Sequence, residues 1–290
     1  MTVSRSKQVP FKQVDVFTDV PFKGNPVAVI LDGDGLTTAQ MQSIANWTNL
    51  SETTFVCAPA QADADYRLRI FTPRRELPFA GHPTIGSAWA ALQHGLKPKT
   101  PGRPVQECGK GLIALRMVGQ RLFLALPEPA FTAPDGAQLI AMATALGVAA
   151  DELILSSIVD VGAIWFTAQL RSAEKVIALE PDMAALAALG NDLYTGVTVF
   201  GLHPAGSAAA VEVRSFAPAC GVPEDPVCGS GNGCVAAVIR SHRILTAPAY
   251  VASQGQCLGR DGRVQVEFDA DGAIWLGGNA VTCVDGSIAV

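Results

Sequence analysis

This chain of 290 residues lacks any run of basic residues. Its 21 Lys and Arg are outnumbered by 26 Asp and Glu, for a net charge of −5 at pH 7. Nothing in it would track a phosphate backbone, so nucleic acid is not an expected partner. The opening MTVSRSKQVPFKQVDVF has no apolar signal-peptide stretch. No segment of about 20 uninterrupted apolar residues follows it, so no membrane partner is expected. None of the seven cysteines forms a C-x-x-C pair, and their number is odd. Reduced thiols in the cytoplasm are therefore the expectation. The four histidines (His82, His94, His203, His242) lie far apart, none at metal-site spacing from a Cys, so no metal is expected. Charge itself is scarce, at 16% against 49% hydrophobic residues, which excludes global disorder.

The apolar residues are arranged in many short segments. A prior of roughly 150 residues per domain predicts two domains. Strand-like alternation or short apolar runs occur around Phe11 to Phe17, Val27 to Leu31, Thr53 to Val56 and Tyr66 to Phe71. They recur at 112–118, 121–126, 163–169, 197–200, 209–216, 250–252, 264–268, 274–276 and 280–284. Thr37 or Thr38 is placed to cap a helix running to about Asn46, and surface-type helices are expected near 137–146 and 182–189. Two further helices differ from these. HPTIGSAWAALQ, from His82 to Gln93, has no charged residue, and the stretch from Ser230 to Ile239 has none either. A helix without a charged face must be buried all round. Many short strands with few helices predict an α+β fold and exclude a doubly wound parallel sheet.

The chain also resembles itself. Arg69-Ile70-Phe71-Thr72-Pro73 matches Arg214-Ser215-Phe216-Ala217-Pro218, and Pro78-Phe79-Ala80-Gly81-His82 matches Pro226-Val227-Cys228-Gly229-Ser230. Each pair leads into a charge-free helix. A strand that passes through Gly into a helix leaves backbone N–H groups unpaired at the positive end of the helix dipole. Such an end suits a carboxylate or a developing oxyanion.

Five ordered motifs carry a resemblance to a known family. They are Asp15-Val16-Phe17, Gly24-Asn25-Pro26-Val27-Ala28-Val29, Asn49-Leu50-Ser51-Glu52-Thr53-Thr54-Phe55, Phe79-Ala80-Gly81-His82-Pro83-Thr84 and Glu224-Asp225-Pro226-Val227-Cys228-Gly229-Ser230. On these the chain resembles the PhzF family of phenazine-biosynthesis proteins, related to diaminopimelate epimerase and proline racemase. The resemblance implies two similar domains, each a mostly antiparallel sheet or barrel around a central buried helix. Residues 1–125 with the C-terminal 278–290 would form the first and 126–277 the second. It implies a cleft between them, a homodimer, and a cofactor-independent isomerase that moves a proton on a small anionic metabolite.

Candidate residues follow from the motifs. Glu52 is the expected acid/base, its pKa raised towards neutrality if the carboxylate is enclosed; alone it would read as a solvated turn residue. His82 would share protons or hold substrate, against a buried histidine bonded to backbone. Asp225 would orient or protonate substrate, against an ordinary Asp-Pro turn. Gly81, Gly229 and Ser230 would bind a carboxylate, and Asn25 would help line the site. Cys228 departs from the family, where Thr is common, and resembles the two-thiol racemases instead. At a helix start it would have a lowered pKa and act as a second base, against a small buried hydrophobe. The position matching the second thiol is Ala80, which disfavours symmetric two-thiol racemisation. The alternatives are an epimerase using Cys228 and a non-catalytic small-anion binder.

Overall fold

Two compact units divide the chain. The first runs to Leu124 and takes in Gly278–Val290; the second is Ala125–Gly277. The computed structural model describes residues 7–190 and 193–290.

In chain order the first unit holds β1 (Gln8–Val16), β2 (Asn25–Ile30), α1 (Thr38–Thr48), β3 (Thr53–Cys57), β4 (Tyr66–Phe71), β5 (Glu76–Leu77) and α2 (Gly81–Gln93). It continues with β6 (Val105–Cys108), β7 (Gly111–Val118) and β8 (Arg121–Ala125). The second unit holds β9 (Ala130–Thr132), α3 (Gly136–Leu146), β10 (Leu155–Asp160), β11 (Ile164–Gln169), α4 (Ala173–Ile177), α5 (Met183–Leu189) and β12 (Gly196–Leu202). Then come β13 (Val211–Ala217), β14 (Val222–Asp225), α6 (Gly229–Ser241), β15 (Ala249–Gln254), β16 (Gly262–Phe268) and β17 (Ile274–Gly278). The last strand, β18 (Ala280–Ala289), pairs with β1 over nine residues and so belongs to the first unit. The architecture is α+β.

The pairings show one plan used twice. In the first unit β1–β2 and β3–β4 are antiparallel, and β2–β3 and β4–β6 are parallel across α1 and α2. In the second, β10–β11 and β12–β13 are antiparallel, and β11–β12 and β13–β15 are parallel across α4–α5 and α6. Parallel neighbours need such a crossover. Each plan ends in antiparallel hairpin pairing, β6–β7–β8 and β15–β16–β17.

The two short sequence matches are the visible part of this duplication. Arg69 on β4 grips Glu76 on β5 with two bonds (Nε–Oε1 2.7 Å, Nη2–Oε2 2.6 Å) and lies over Phe71. Arg214 on β13 grips Glu224 on β14 in the same way (both 2.9 Å) and lies over Phe216. The first ion pair is partly exposed. The second is buried, and Arg214 Nη1 also donates to the carbonyls of Val176 and Leu179 at the end of α4.

α2 and α6 are the central helices, each of 13 residues. α2 packs on β1, β2 and β3, and α6 on β10, β11 and β12. Gly86 permits the approach of α2: a Cβ there would lie 2.5 Å from Val27 Cγ1 and 2.8 Å from Val16 Cγ2. Thr37 caps α1 through a capping box with Gln40, Asp135 caps α3 with Gln138, and Gly147 ends α3 in the left-handed conformation. Among the described residues no helix is long and apolar enough to cross a membrane.

Candidate active site

Glu52 stands where α1 is handed to β3. The chain leaves α1 through Asn49 in the left-handed conformation, and parallel pairing of β2 with β3 starts at Ala28 and Thr53. The Glu52 carbonyl accepts from Ala28 N–H. This places the side chain facing His82: Oε2 lies 3.4 Å from Nε2, and both atoms are buried.

His82 is the second residue of α2. Its other ring nitrogen, Nδ1, lies 3.3 Å from Nδ2 of Asn25, the buried first residue of β2. Burial pushes the imidazole down to about 3, so the ring is neutral at physiological pH. A bond to the Pro26 backbone works against this shift, and the neutral ring has one donor and one acceptor nitrogen to divide between its Asn25 and Glu52 sides. Three sequence candidates therefore form one contiguous group in the first unit. Gly81 opens α2 beside them, and its N-cap residue, Ala80, has no side chain to satisfy the first-turn amides.

The second unit carries the matching turn with different chemistry. Asp225 ends β14, and its Oδ1 accepts from Val227 N–H at 3.0 Å. Burial pushes its carboxyl up to about 6, against the bonds from Val227 and Cys228. Cys228 caps α6: its Sγ accepts from Gly231 N–H at 3.2 Å and lies 3.6 Å from Ser230 Oγ.

A helix start is expected to lower the Cys228 pKa. The structure gives the opposite. The thiol is buried, and burial with the nearby Asp225 charge pushes it well above the usual thiol range, despite the Gly231 N–H. A helix terminus yields a thiolate only where the sulfur stays partly solvated.

Three residues escaped sequence reasoning. Trp165 Nε1 donates to Ser230 Oγ at 3.0 Å; an indole N–H only donates, so the Ser230 proton points elsewhere. Gln254 Oε1 accepts from Cys228 N–H at 3.0 Å and from Asn232 Nδ2 at 2.8 Å, while its Nε2 donates to the Asp225 carbonyl at 3.0 Å. Asn232 also donates to the Cys228 carbonyl at 2.9 Å. Trp165 and Gln254 sit in strands with no local motif to mark them, while Asn232 closes the Cys228-Gly229-Ser230-Gly231-Asn232 run without having been singled out.

A family model described as phenazine biosynthesis-like protein (PhzC-PhzF) matches residues 14–286. The chain belongs to this family. A relative from Schizosaccharomyces pombe, "Antisense-enhancing sequence 1", is 40% identical over 95% of this chain and 97% of its own. The trans-2,3-dihydro-3-hydroxyanthranilate isomerase of Pseudomonas chlororaphis is 34% identical, covering 96% of this chain and 98% of its own. The fold matches that of a PhzF-family phenazine biosynthesis protein from Bacillus anthracis with a TM-score of 0.86, at 24% identity over 98% of this chain and 100% of that one. As a PhzF-family protein the chain is an enzyme of the isomerase class. Among the described residues no group of three His, Cys, Asp or Glu is placed to hold a metal ion.

Proposed function

We propose that this PhzF-family isomerase moves a proton between two carbons of a small carboxylate-bearing metabolite by acid–base chemistry, without a cofactor. Such a shift is redox-neutral and asks only for a base, an acid and a site for the charge that develops. The observation that carries the reading is Glu52 facing a neutral, buried His82 held in turn by Asn25. Glu52 takes the proton from carbon and returns it. His82 holds the carboxylate in register and shares the proton, having one donor and one acceptor when neutral. The first-turn amides at Gly81 of α2, and those at Gly229 and Ser230 of α6, are each suited to hold a carboxylate. Asp225, whose carboxyl burial pushes up to about 6, is the further candidate acid or orienting group. An epimerase based on Cys228 is the weaker reading, because a buried protonated thiol is a poor base.

A small anionic metabolite is thus the proposed partner. The family resemblance supports a homodimer, and seven cysteines without a C-x-x-C pair support a reducing, cytoplasmic setting.

The test is solvent-deuterium incorporation into trans-2,3-dihydro-3-hydroxyanthranilate, the substrate named for the Pseudomonas relative, and into a panel of small unsaturated and amino acids. Glu52→Gln is expected to cut exchange by about 10²–10⁴-fold. Unchanged exchange would remove Glu52 from its role. Binding without exchange across the whole panel would instead identify an anion-binding protein.

A further inference from the structure

In each unit the turn that leads into the central helix rests on the glycine that follows a strand. In the second unit Gly255 follows β15 at φ +98°, and a Cβ on it would lie 2.5 Å from the Pro226 carbonyl oxygen. In the first unit Gly109 follows β6, and a Cβ on it would lie 2.8 Å from Pro78 Cα. Further round the second turn, a Cβ on Gly262 would lie 2.4 Å from Val227 Cγ2. The strand end is therefore a mould against which the turn is cast, and the duplication preserves it.

The residue before each glycine is where the units differ. β4 pairs in parallel with β6, and β13 with β15, in registers that make Cys108 and Gln254 equivalent. Cys108 accompanies a turn bearing Leu77 and Ala80, which have no polar side chain to place. Gln254 accompanies a turn bearing Asp225 and Cys228. Helix and turn are tied alike in both units: Thr84 Oγ1 donates to the Ala80 carbonyl at 2.8 Å, as Asn232 does to that of Cys228. In the first unit the buried Gln106 of β6 holds α2 alone, its Nε2 donating to Thr84 Oγ1 at 3.0 Å, and the bonds of Gln254 to the turn are the addition. Gln254 holds the turn by the Asp225 carbonyl at one end and the Cys228 N–H at the other, and it holds Asn232 of α6.

We propose that Gln254 is a positioning residue for the reaction, fixing the Asp225–Cys228 turn so that the Asp225 carboxyl and the first turn of α6 meet the substrate in one geometry. This rests on the role assigned to Asp225 above. Buried polar groups that are fully bonded specify one conformation, and misplacing a reacting group by about 1 Å costs on the order of 10²-fold in rate. Among the described residues Cys228 bonds to the Asp225 carboxyl, and the Glu224 charge beside it is paired with Arg214.

The experiment compares Gln254→Met, which keeps the volume and removes all three bonds, with Gln254→Glu, which keeps the acceptor but adds charge beside Asp225. Two readouts are taken on the full chain. The first is kcat against KM for deuterium exchange. The second is the titration of the Asp225 carboxyl by ¹³C NMR, assigned with Asp225→Asn, which needs no substrate. Gln254→Met is expected to lower kcat about 10- to 100-fold with KM changed less than about threefold. Gln254→Glu is expected to move the Asp225 titration to higher pH. A folded Gln254→Met enzyme with wild-type kcat, or an Asp225 titration indifferent to Gln254→Glu, overturns the proposal. If Gln254→Met fails to fold, the kcat of Gln254→Glu, which lacks the donor to the Asp225 carbonyl, decides, and a wild-type value overturns the proposal. Should Asp225→Asn keep full activity, the role given to Asp225 falls, whereas the titration still reports on Gln254.

Discussion

At the scale of single residues, Asp225 and Cys228 share a buried turn, and burial acts on both in the direction that keeps them protonated. For Asp225 this has a measurable consequence. Its folded pKa, about 6, is above the model-peptide value of about 3.9. The native carboxyl thus holds its proton more tightly than the unfolded chain does. The stabilisation this gives is complete below about pH 4 and is lost as pH rises through about 6, beyond which the fold carries a half-buried charge. Asp225→Asn keeps the acceptor for Val227 N–H and removes that charge. It is therefore expected to be more stable than the parent at pH 8, by at most about 3 kcal/mol at roughly 1.4 kcal/mol per pH unit, and no more stable at pH 4. Urea unfolding at the two pH values measures this, and an equal effect at both would contradict it. For Cys228 the expectation is slow alkylation. Iodoacetamide at pH 7.5, followed by peptide mapping, should modify the exposed Cys220 and Cys257 at least about tenfold faster. Early labelling of Cys228 would restore it as a candidate base.

At the scale of elements, the two Arg–Glu grips share their bidentate geometry but differ in burial and in the carbonyls that Arg214 alone also holds. Arg214→Ala leaves Glu224 and the α4 carbonyls buried without their donor, and is expected to cost about 3–5 kcal/mol. Arg69→Ala exposes a pair already in contact with water and should cost no more than about 1 kcal/mol. Urea midpoints give both values, and equal costs would mean that neither burial nor the added carbonyl bonds set the energy of the second grip. The same contrast explains what could be read in advance. The charge-free stretches from His82 and from Ser230 announced α2 and α6, because burial on all sides is written in composition. Thr37, Gly147 and the alternating strands were equally legible. β10, α4 and β14 were not: Leu155–Asp160 lacks clear alternation, and Ala173–Ile177 is too short for a period. Glu52, His82 and Asn25 were named from motifs, but their contact depends on parallel β2–β3 pairing and on the seating of α2. Gln254 and Trp165 act by reaching across the fold, which no local spacing reveals.

At the scale of the whole molecule, the first unit is discontinuous and the second is not. β1 needs β18, which pairs with it along its whole length. β18 also ties α2, through Trp89 Nε1 donating to Thr282 Oγ1 and Thr282 Oγ1 donating to Gln93 Oε1. Lys12, almost buried, pairs with Asp285. The second unit has its own core, built on Phe166, Leu146, Val197, Val199 and Phe216. Residues 125–277 are therefore expected to fold alone, with cooperative urea unfolding, while 7–124 alone should lack fixed tertiary packing and bind ANS. The remedy follows from the termini. Lys7 and Val290 exchange two backbone hydrogen bonds of 2.8 Å, so a short linker from residue 290 to residue 7 spans them without strain. A permuted fragment running 278–290, linker, 7–124 should regain near-ultraviolet circular dichroism and cooperative unfolding. If 7–124 folds as well without β18, that strand is an accessory to the first unit and not a part of its core.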